Sequence, residues 1–234
     1  MVDLKEEQKY EQLRKLGQEL HIPLPEAFWT LEVFDKNGKL IQRHHLRSHS
    51  WVRNAYNYLF HHLAAKAASD NTWGAGKLNG KDTGGALKYG SSGWVIAQTG
   101  WESAGTGVMA QAGIDTFGIL VGSGTNAESF EDYFLQTQIA DGAGAGQLAH
   151  GAQQPHAVSY GDTTLTDLLV RYFNNNSGGN IGVNEVALVF LFERMLVTTN
   201  LKAMLARDKL PATVTVPDTG QLKVTYTVGL AYPA

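Results

Sequence analysis

The run Gly122-Ser-Gly-Thr-Asn-Ala127 is the stretch of this 234-residue chain that most resembles a ligand-binding motif. It fits G-x-G-x-x-A and follows an apolar strand pattern. In a dinucleotide-binding fold such glycines let backbone N–H groups approach a pyrophosphate at a helix N-terminus. Here Glu128, Glu131 and Asp132 follow, where phosphate would be repelled, and the chain beyond is strand-rich with no βαβ pattern. A tight glycine turn is therefore the preferred reading, and no cofactor is expected.

The histidines are the next candidates: His44, His45 and His49, then His61 and His62. A transition metal needs imidazoles that converge on one point. Adjacent strand residues point to opposite faces, and adjacent helix residues sit about 100° apart, so neither neighbouring pair converges easily. There is no H-E-x-x-H and no cysteine. Surface or interface histidines are expected, and no metal. Glu128, Glu131, Asp132, Asp162 and Asp167 offer carboxylates of the kind glycoside hydrolysis uses in pairs. Such pairs arise by chance in any chain of this size, so none is nominated. Ser123 lies in Gly-Ser-Gly, outside the G-x-S-x-G elbow of a hydrolase. No catalytic residue is expected, and the chain is read as a non-enzyme.

Composition bounds the partners. Charged residues make up 18%, glycine fills 26 positions, and the net charge is −3. That balance gives no general attraction to nucleic acid or to an anionic membrane. Basic residues are dispersed, without the aromatic–basic weave of a nucleic-acid surface. No stretch approaches transmembrane length, and the charged N-terminus lacks the apolar region of a secretory signal. Low charge with many glycines suits a protein that hides surface against partners, or one with long irregular loops.

The strand expected at the centre is Val186–Phe192, seven apolar residues rich in β-branched and aromatic types, which predicts burial on both faces. Leu222–Tyr232 alternates apolar with polar or small residues and predicts a half-buried strand. Residues 3–20 predict a helix with Tyr10, Leu13, Leu16 and Leu20 on its apolar face, stopped by Pro23 and Pro25. Phe28–Phe34 and Leu40–Leu46 predict a hairpin around Asn37-Gly38. A second helix, capped by Ser48 or Ser50, is expected to reach about Ala68, with Val52, Tyr56, Leu59, Phe60, Leu63 and Ala67 facing the sheet. Short strands between Gly, Asn and Asp turns fill the rest, among them Phe117–Val121, Thr164–Asn174, Met204–Leu210 and Thr213–Val216.

From Ser69 to about Asp115 the pattern dissolves into recurring glycines with Trp73, Trp94 and Trp101 among them. A structureless loop this long is uncommon in a compact domain, and tryptophans are unusual in a mere linker. The segment is read as an extended arm or insertion ordered by another subunit, with Trp73, Trp94 and Trp101 as candidate interface residues. A loop folded over its own domain is the alternative. The predicted class is mainly β (α+β), an antiparallel β-sandwich or jelly-roll-like core with one long helix in the N-terminal half. Residues 1–27 form an N-terminal helix or arm. Residues 28–234 form the sandwich domain, with the Gly/Trp-rich insertion at about 69–116.

Three further pieces carry a resemblance. They are Phe117-Gly-Ile-Leu-Val-Gly-Ser-Gly-Thr-Asn-Ala127 followed by Phe130, Asp132 and Leu135; Val183-Asn-Glu-Val-Ala-Leu188; and Met204-Leu-Ala-Arg-Asp-Lys-Leu-Pro211 followed by Val214, Val216 and Val224-Thr-Tyr226. In order and spacing they resemble a recurring type of tailed-bacteriophage virion protein, over about half the chain. Ala187 departs from the glycine more usual there, and the 69–116 segment has no counterpart. The resemblance implies a β-sandwich virion component that assembles with itself and with other virion proteins, such as major capsid or tail proteins. It would act as a capsid decoration or cement, neck or tail protein, made in the host cytoplasm. A carbohydrate- or receptor-binding β-sandwich module, with glycan stacked on exposed aromatics, is the alternative.

Overall fold

The computed structural model describes residues 4–64, 79–88, 94–95, 107–194 and 197–231, with backbone only at 61–64, 94–95, 193–194 and 197–200. It is mainly β, 49% strand against 13% helix, with antiparallel sheets. In chain order the elements are α1 (Leu4–Glu19), β1 (Leu24–Phe34), β2 (Leu40–Ser48), α2 (Arg53–Ala64), β3 (Gly80–Lys81), β4 (Leu87–Lys88), β5 (Trp94–Val95) and β6 (Gly118–Gly122). Then follow β7 (Ala149–His150), β8 (Ala157–Tyr160), β9 (Thr164–Asn174), β10 (Ile181–Arg194), β11 (Val197–Val216) and β12 (Gln221–Ala231).

One sheet runs β2-β1-β12-β9-β7, with β8 also paired to β9. The hairpin turn between β1 and β2 is the expected one. Gly38 takes φ +76°, and one oxygen of Asp35 accepts the backbone N–H groups of Lys39 and Asn37, which hold its carboxyl below the ordinary range. Period-two alternation turns Ala27, Trp29, Leu31 and Val33 inward from β1, and Leu222, Val224 and Tyr226 from β12. The second sheet centres on β10, with β11 on one side and β5 and β6 on the other. The inner faces of the two sheets meet in one core, where Trp29, Leu31 and Tyr226 share a cluster with Val183, Val186, Leu188 and Val214.

Val186–Phe192 lies within β10 and is buried on both faces, as predicted, except for half-buried Phe190. The cover on its outer face is not mainly α2. Ala187, Val189 and Leu191 pack with Val52, Ala110, Phe117, Leu120 and Leu135, so loop residues supply most of it. The second helix meets the opposite face, and only at one end, where Tyr58 packs on Phe192 and Leu201. β11 is a single strand, where two had been expected. Pro211 is tolerated because β11 is an edge strand and the pairing shifts register opposite it, between Val183 and Glu185.

Both helices sit with the unexpected face inward. Of the predicted stripe on α1 only Tyr10 turns to the body, while Leu13, Leu16 and Leu20 stay exposed. Ion pairs fix this orientation. The Arg47 guanidinium lies between the Tyr10 and Phe28 rings, 3.7 and 4.5 Å from their centroids, and pairs with Glu7 and Glu26, while Arg14 bridges the same two carboxylates. Of the stripe predicted for α2, Val52 just before the helix is buried, and Tyr56, Leu59 and Phe60 are exposed. The Leu63 side chain and Ala67 lie outside the described residues. The buried residues of the helix itself are Asn54, Asn57 and Tyr58. Asn54 donates to the carbonyls of Lys81 and Met204, and Asn57 to that of Asn79, which anchors α2 through side-chain amides. Neither Ser48 nor Ser50 caps it: the Ser48 hydroxyl donates to Asp208, and the Ser50 carbonyl accepts the Arg207 N–H.

The parts of the Gly/Trp-rich segment that are described lie on their own chain. β3 and β4 form a small hairpin against α2, β5 pairs with Glu193 and Arg194, and Val108, Met109 and Ala110 are buried. Residues 65–78, 89–93 and 96–106 of the expected arm lie outside the described residues.

Candidate functional site

Glu185 and Arg207 are diagonal neighbours across the β10–β11 ladder, where Glu185 pairs with Lys209 and Arg207 with Ala187, and both point to the outer face of that sheet. Glu185 is fully buried and accepts four hydrogen bonds. They come from the backbone N–H groups of Gly124, Gln136 and Thr137 at 3.1, 3.1 and 2.8 Å, and from Arg207 Nε at 2.8 Å, with Oε1 and Oε2 sharing the load. Gly122 packs directly against the carboxylate: a Cβ there would stand 2.5 Å from Oε1. Four donors therefore satisfy the carboxylate, and the two glycines make room for it.

Arg207 is also fully buried. It donates to Asp132 at 2.7 Å and to the carbonyls of Asn126 and Ala127. Burial works against its charge, but the bonds to Glu185 and Asp132 outweigh that and raise the guanidinium above its ordinary range. The glycine turn 122–127 thus does bind an anion through backbone N–H, and the anion is the chain's own Glu185.

The next residue, Asp208, points the other way, into the space between the sheets. Its Oδ2 accepts Trp29 Nε1 and the Ser48 hydroxyl, each at 2.7 Å, and its Oδ1 lies 3.2 Å from the His49 backbone nitrogen. Trp51 Nε1 donates to the Tyr226 hydroxyl, which is 3.3 Å from Ser48 Oγ and is pushed up in pKa by burial. The three sequence pieces around Gly122–Ala127, Glu185 and Arg207-Asp208 are therefore joined in one buried polar network. Sequence reasoning quoted these residues but assigned them no role. Their one signal is charge inside otherwise apolar strands.

The other expected site residues are dispersed. Trp73 and Trp101 lie outside the described residues, and Trp94 is described only by its backbone, paired with Arg194. His44 bonds Gln42, while His45 stacks on Phe28 and bonds Thr30, so the two diverge as expected. Four of the five candidate carboxylates are also apart in their bonding. Glu131 pairs with Arg53, Asp132 with Arg207, and Asp167 with His156, while Glu128 accepts the Lys209 N–H.

A cleft of about 310 Å³ lies between the sheets, lined by Leu169, Leu188, Phe190, Tyr226, Val228 and Leu230, with the His156–Asp167 pair among its few polar groups. Its lining suits a hydrocarbon group better than a sugar. Comparison with known protein families, with curated proteins and with solved structures found no match.

Proposed function

We propose that this chain is a non-enzymatic structural component of a tailed-bacteriophage virion, working through subunit contacts as a capsid decoration or cement protein or as a head–tail or tail component. The observation that carries the reading is the outward apolar face of both helices. α1 spends Glu7, Tyr10 and Arg14 on its own body and leaves Leu13, Leu16 and Leu20 at 45, 49 and 56% exposure. α2 buries two asparagines and leaves Tyr56, Leu59 and Phe60 at 51, 59 and 54%. An amphipathic helix ordinarily turns its apolar face to the core, and contiguous exposed apolar surface marks an interaction site. The virion resemblance adds to this, because the three segments that carry it meet in one network. The two-sheet core is read as a β-sandwich scaffold, and the partners are copies of the same chain and other virion proteins.

The mass of the full chain in solution, by light scattering, tests the reading. A discrete oligomer is expected. Leu16→Glu with Leu20→Glu, or Leu59→Glu with Phe60→Glu, should dissociate it while leaving the unfolding midpoint nearly unchanged, since the sites are exposed. A wild type that stays monomeric at its highest soluble concentration overturns self-assembly. If that monomer binds glycans through exposed aromatics, a carbohydrate-binding module replaces the proposal.

A further inference from the structure

We propose that His49, Glu128 and Asp208 form a binding site for one divalent transition-metal ion of the Zn²⁺ class, which ties the loop after β6 to both sheets. His49 directly follows β2, Asp208 stands on the inner face of β11, and Glu128 lies in the loop after β6. One ligand atom from each lies within 4.8 Å of the others.

The spacing between His49 and Asp208 is informative. His49 Nδ1 is 3.8 Å from Asp208 Oδ1. That is too long for a hydrogen bond. It matches two ligands that each stand about 2.0–2.2 Å from a shared ion at a widened tetrahedral angle.

A second, independent observation is charge. Asp208 is fully buried, yet among the described residues no lysine or arginine nitrogen lies within ion-pair distance of it. Arg47 is committed to Glu7 and Glu26, and Arg207 to Glu185 and Asp132. A buried carboxylate held only by neutral donors still lacks a counter-charge. The donors are also placed for an ion: Trp29 and Ser48 both bond Oδ2 and leave Oδ1 facing His49.

Behind the imidazole, Glu6 Oε1 stands 4.0 Å from Nε2, beyond hydrogen-bond distance but on the side from which a carboxylate orients a metal-bound histidine. Half of the His49 side chain is open to solvent, which gives an ion a way in. One nitrogen with two carboxylates selects Zn²⁺, Co²⁺ or Mn²⁺ over Ca²⁺ and Mg²⁺, which take oxygen alone. The inference does not depend on the assembly reading.

The full chain, stripped with a chelator and dialysed, should be titrated with Co²⁺, followed by its visible absorption, and then competed with Zn²⁺. One ion per chain is expected, with a rise in thermal midpoint at saturating Zn²⁺. His49→Ala and Glu128→Gln should each weaken binding more than ~10-fold, while His45→Ala leaves it intact. Both site variants are at solvent-accessible side chains, and their metal-free thermal midpoints and near-ultraviolet dichroism should match wild type, which separates lost binding from lost fold. A wild type that binds no Zn²⁺, binding that survives both site variants, or displacement of Zn²⁺ by equimolar Ca²⁺ or Mg²⁺ overturns the proposal.

Discussion

Glu185 Oε1 lies 3.1 Å from the backbone nitrogen of Gly124 and 2.5 Å from the place where a Cβ on that glycine would stand. The turn 122–127 is glycine-rich because a strand carboxylate has to reach its backbone. Any side chain at 124 would also meet Gln136 Cβ at 2.6 Å, so the crowding cannot be relieved by moving the glutamate alone.

Gly124→Ala should therefore destabilise the chain by about 2 kcal/mol, the usual cost of overpacking a tight site. Glu185→Gln should cost more, roughly 3–5 kcal/mol, because it leaves the buried Arg207 without one of its two carboxylates and turns an amide N–H toward a donor. Urea midpoints at constant m-value measure both. A loss in both variants no larger than that of an exposed substitution would show that the network is not holding the loop.

Acid should release α1 before it unfolds the sheets. Bonds from Arg14 and Arg47 hold the Glu7 carboxyl below its ordinary value of 4.5. Partial burial works to raise Glu26, but the same two arginines outweigh it and hold it below 4.5 as well. Both are depressed in the folded chain, so their contribution is complete above pH 4.5 and is lost as pH falls through the folded values. Amide exchange over residues 4–19 should rise below pH 4.5 while β10 stays protected. In Arg47→Met the helix should exchange quickly at neutral pH already, and the acid step should vanish. Equal protection of α1 and β10 down to global unfolding would count against this.

His150 gives a second window with its own slope. Its ring is buried edge-on against Phe173, and burial, with the charge of Arg171, pushes the imidazole down to about 4. Between about 6.5 and 4 the unfolded chain takes up a proton that the folded chain does not. Stability should fall as pH drops through that range, by at most ~1.4 kcal/mol per pH unit. His45 is also depressed, chiefly by burial, and adds to the same slope. The difference between wild type and His150→Leu isolates one of them: the variant's stability should depend less on pH between 6.5 and 4, and parallel curves would refute the assignment.

Much of the strand framework was legible because it is written locally. Thr164–Asn174 is bounded by turn residues and carries its own alternation, and its predicted limits are those of β9. The apolar run at Val186–Phe192 announced a doubly covered strand, but not that residues 107–117 and Leu135 would provide the cover. The helix faces were read inside out. Periodicity reports that Leu13, Leu16 and Leu20 share a face, whereas the docked face of α1 is chosen by Arg47, which comes from a strand far along the chain. The polar network was hidden for the same reason. Glu185, Arg207 and Asp208 look like surface charges until partners at Gly124, Asp132 and Trp29 are brought to them by sheet pairing.

Arg171 shows how strongly such a long-range partner can matter. It projects from β9, is fully buried, and donates to backbone carbonyls of Gly151, Phe117, Ile119, Gln111 and Ile114. Burial lowers its pKa to about 10, which still leaves it charged at neutral pH. One guanidinium thus terminates the loop that covers the outer face of β10, and a planar fork of five donors is what the carbonyl set matches. Arg171→Lys keeps the charge but has three donors, so it should still cost about 2 kcal/mol or more, and Arg171→Met should cost more again by stranding every carbonyl. Both should speed amide exchange at residues 107–119 more than at β1. If Arg171→Lys matched wild type in urea midpoint and in exchange, the fork geometry would not be what secures the loop.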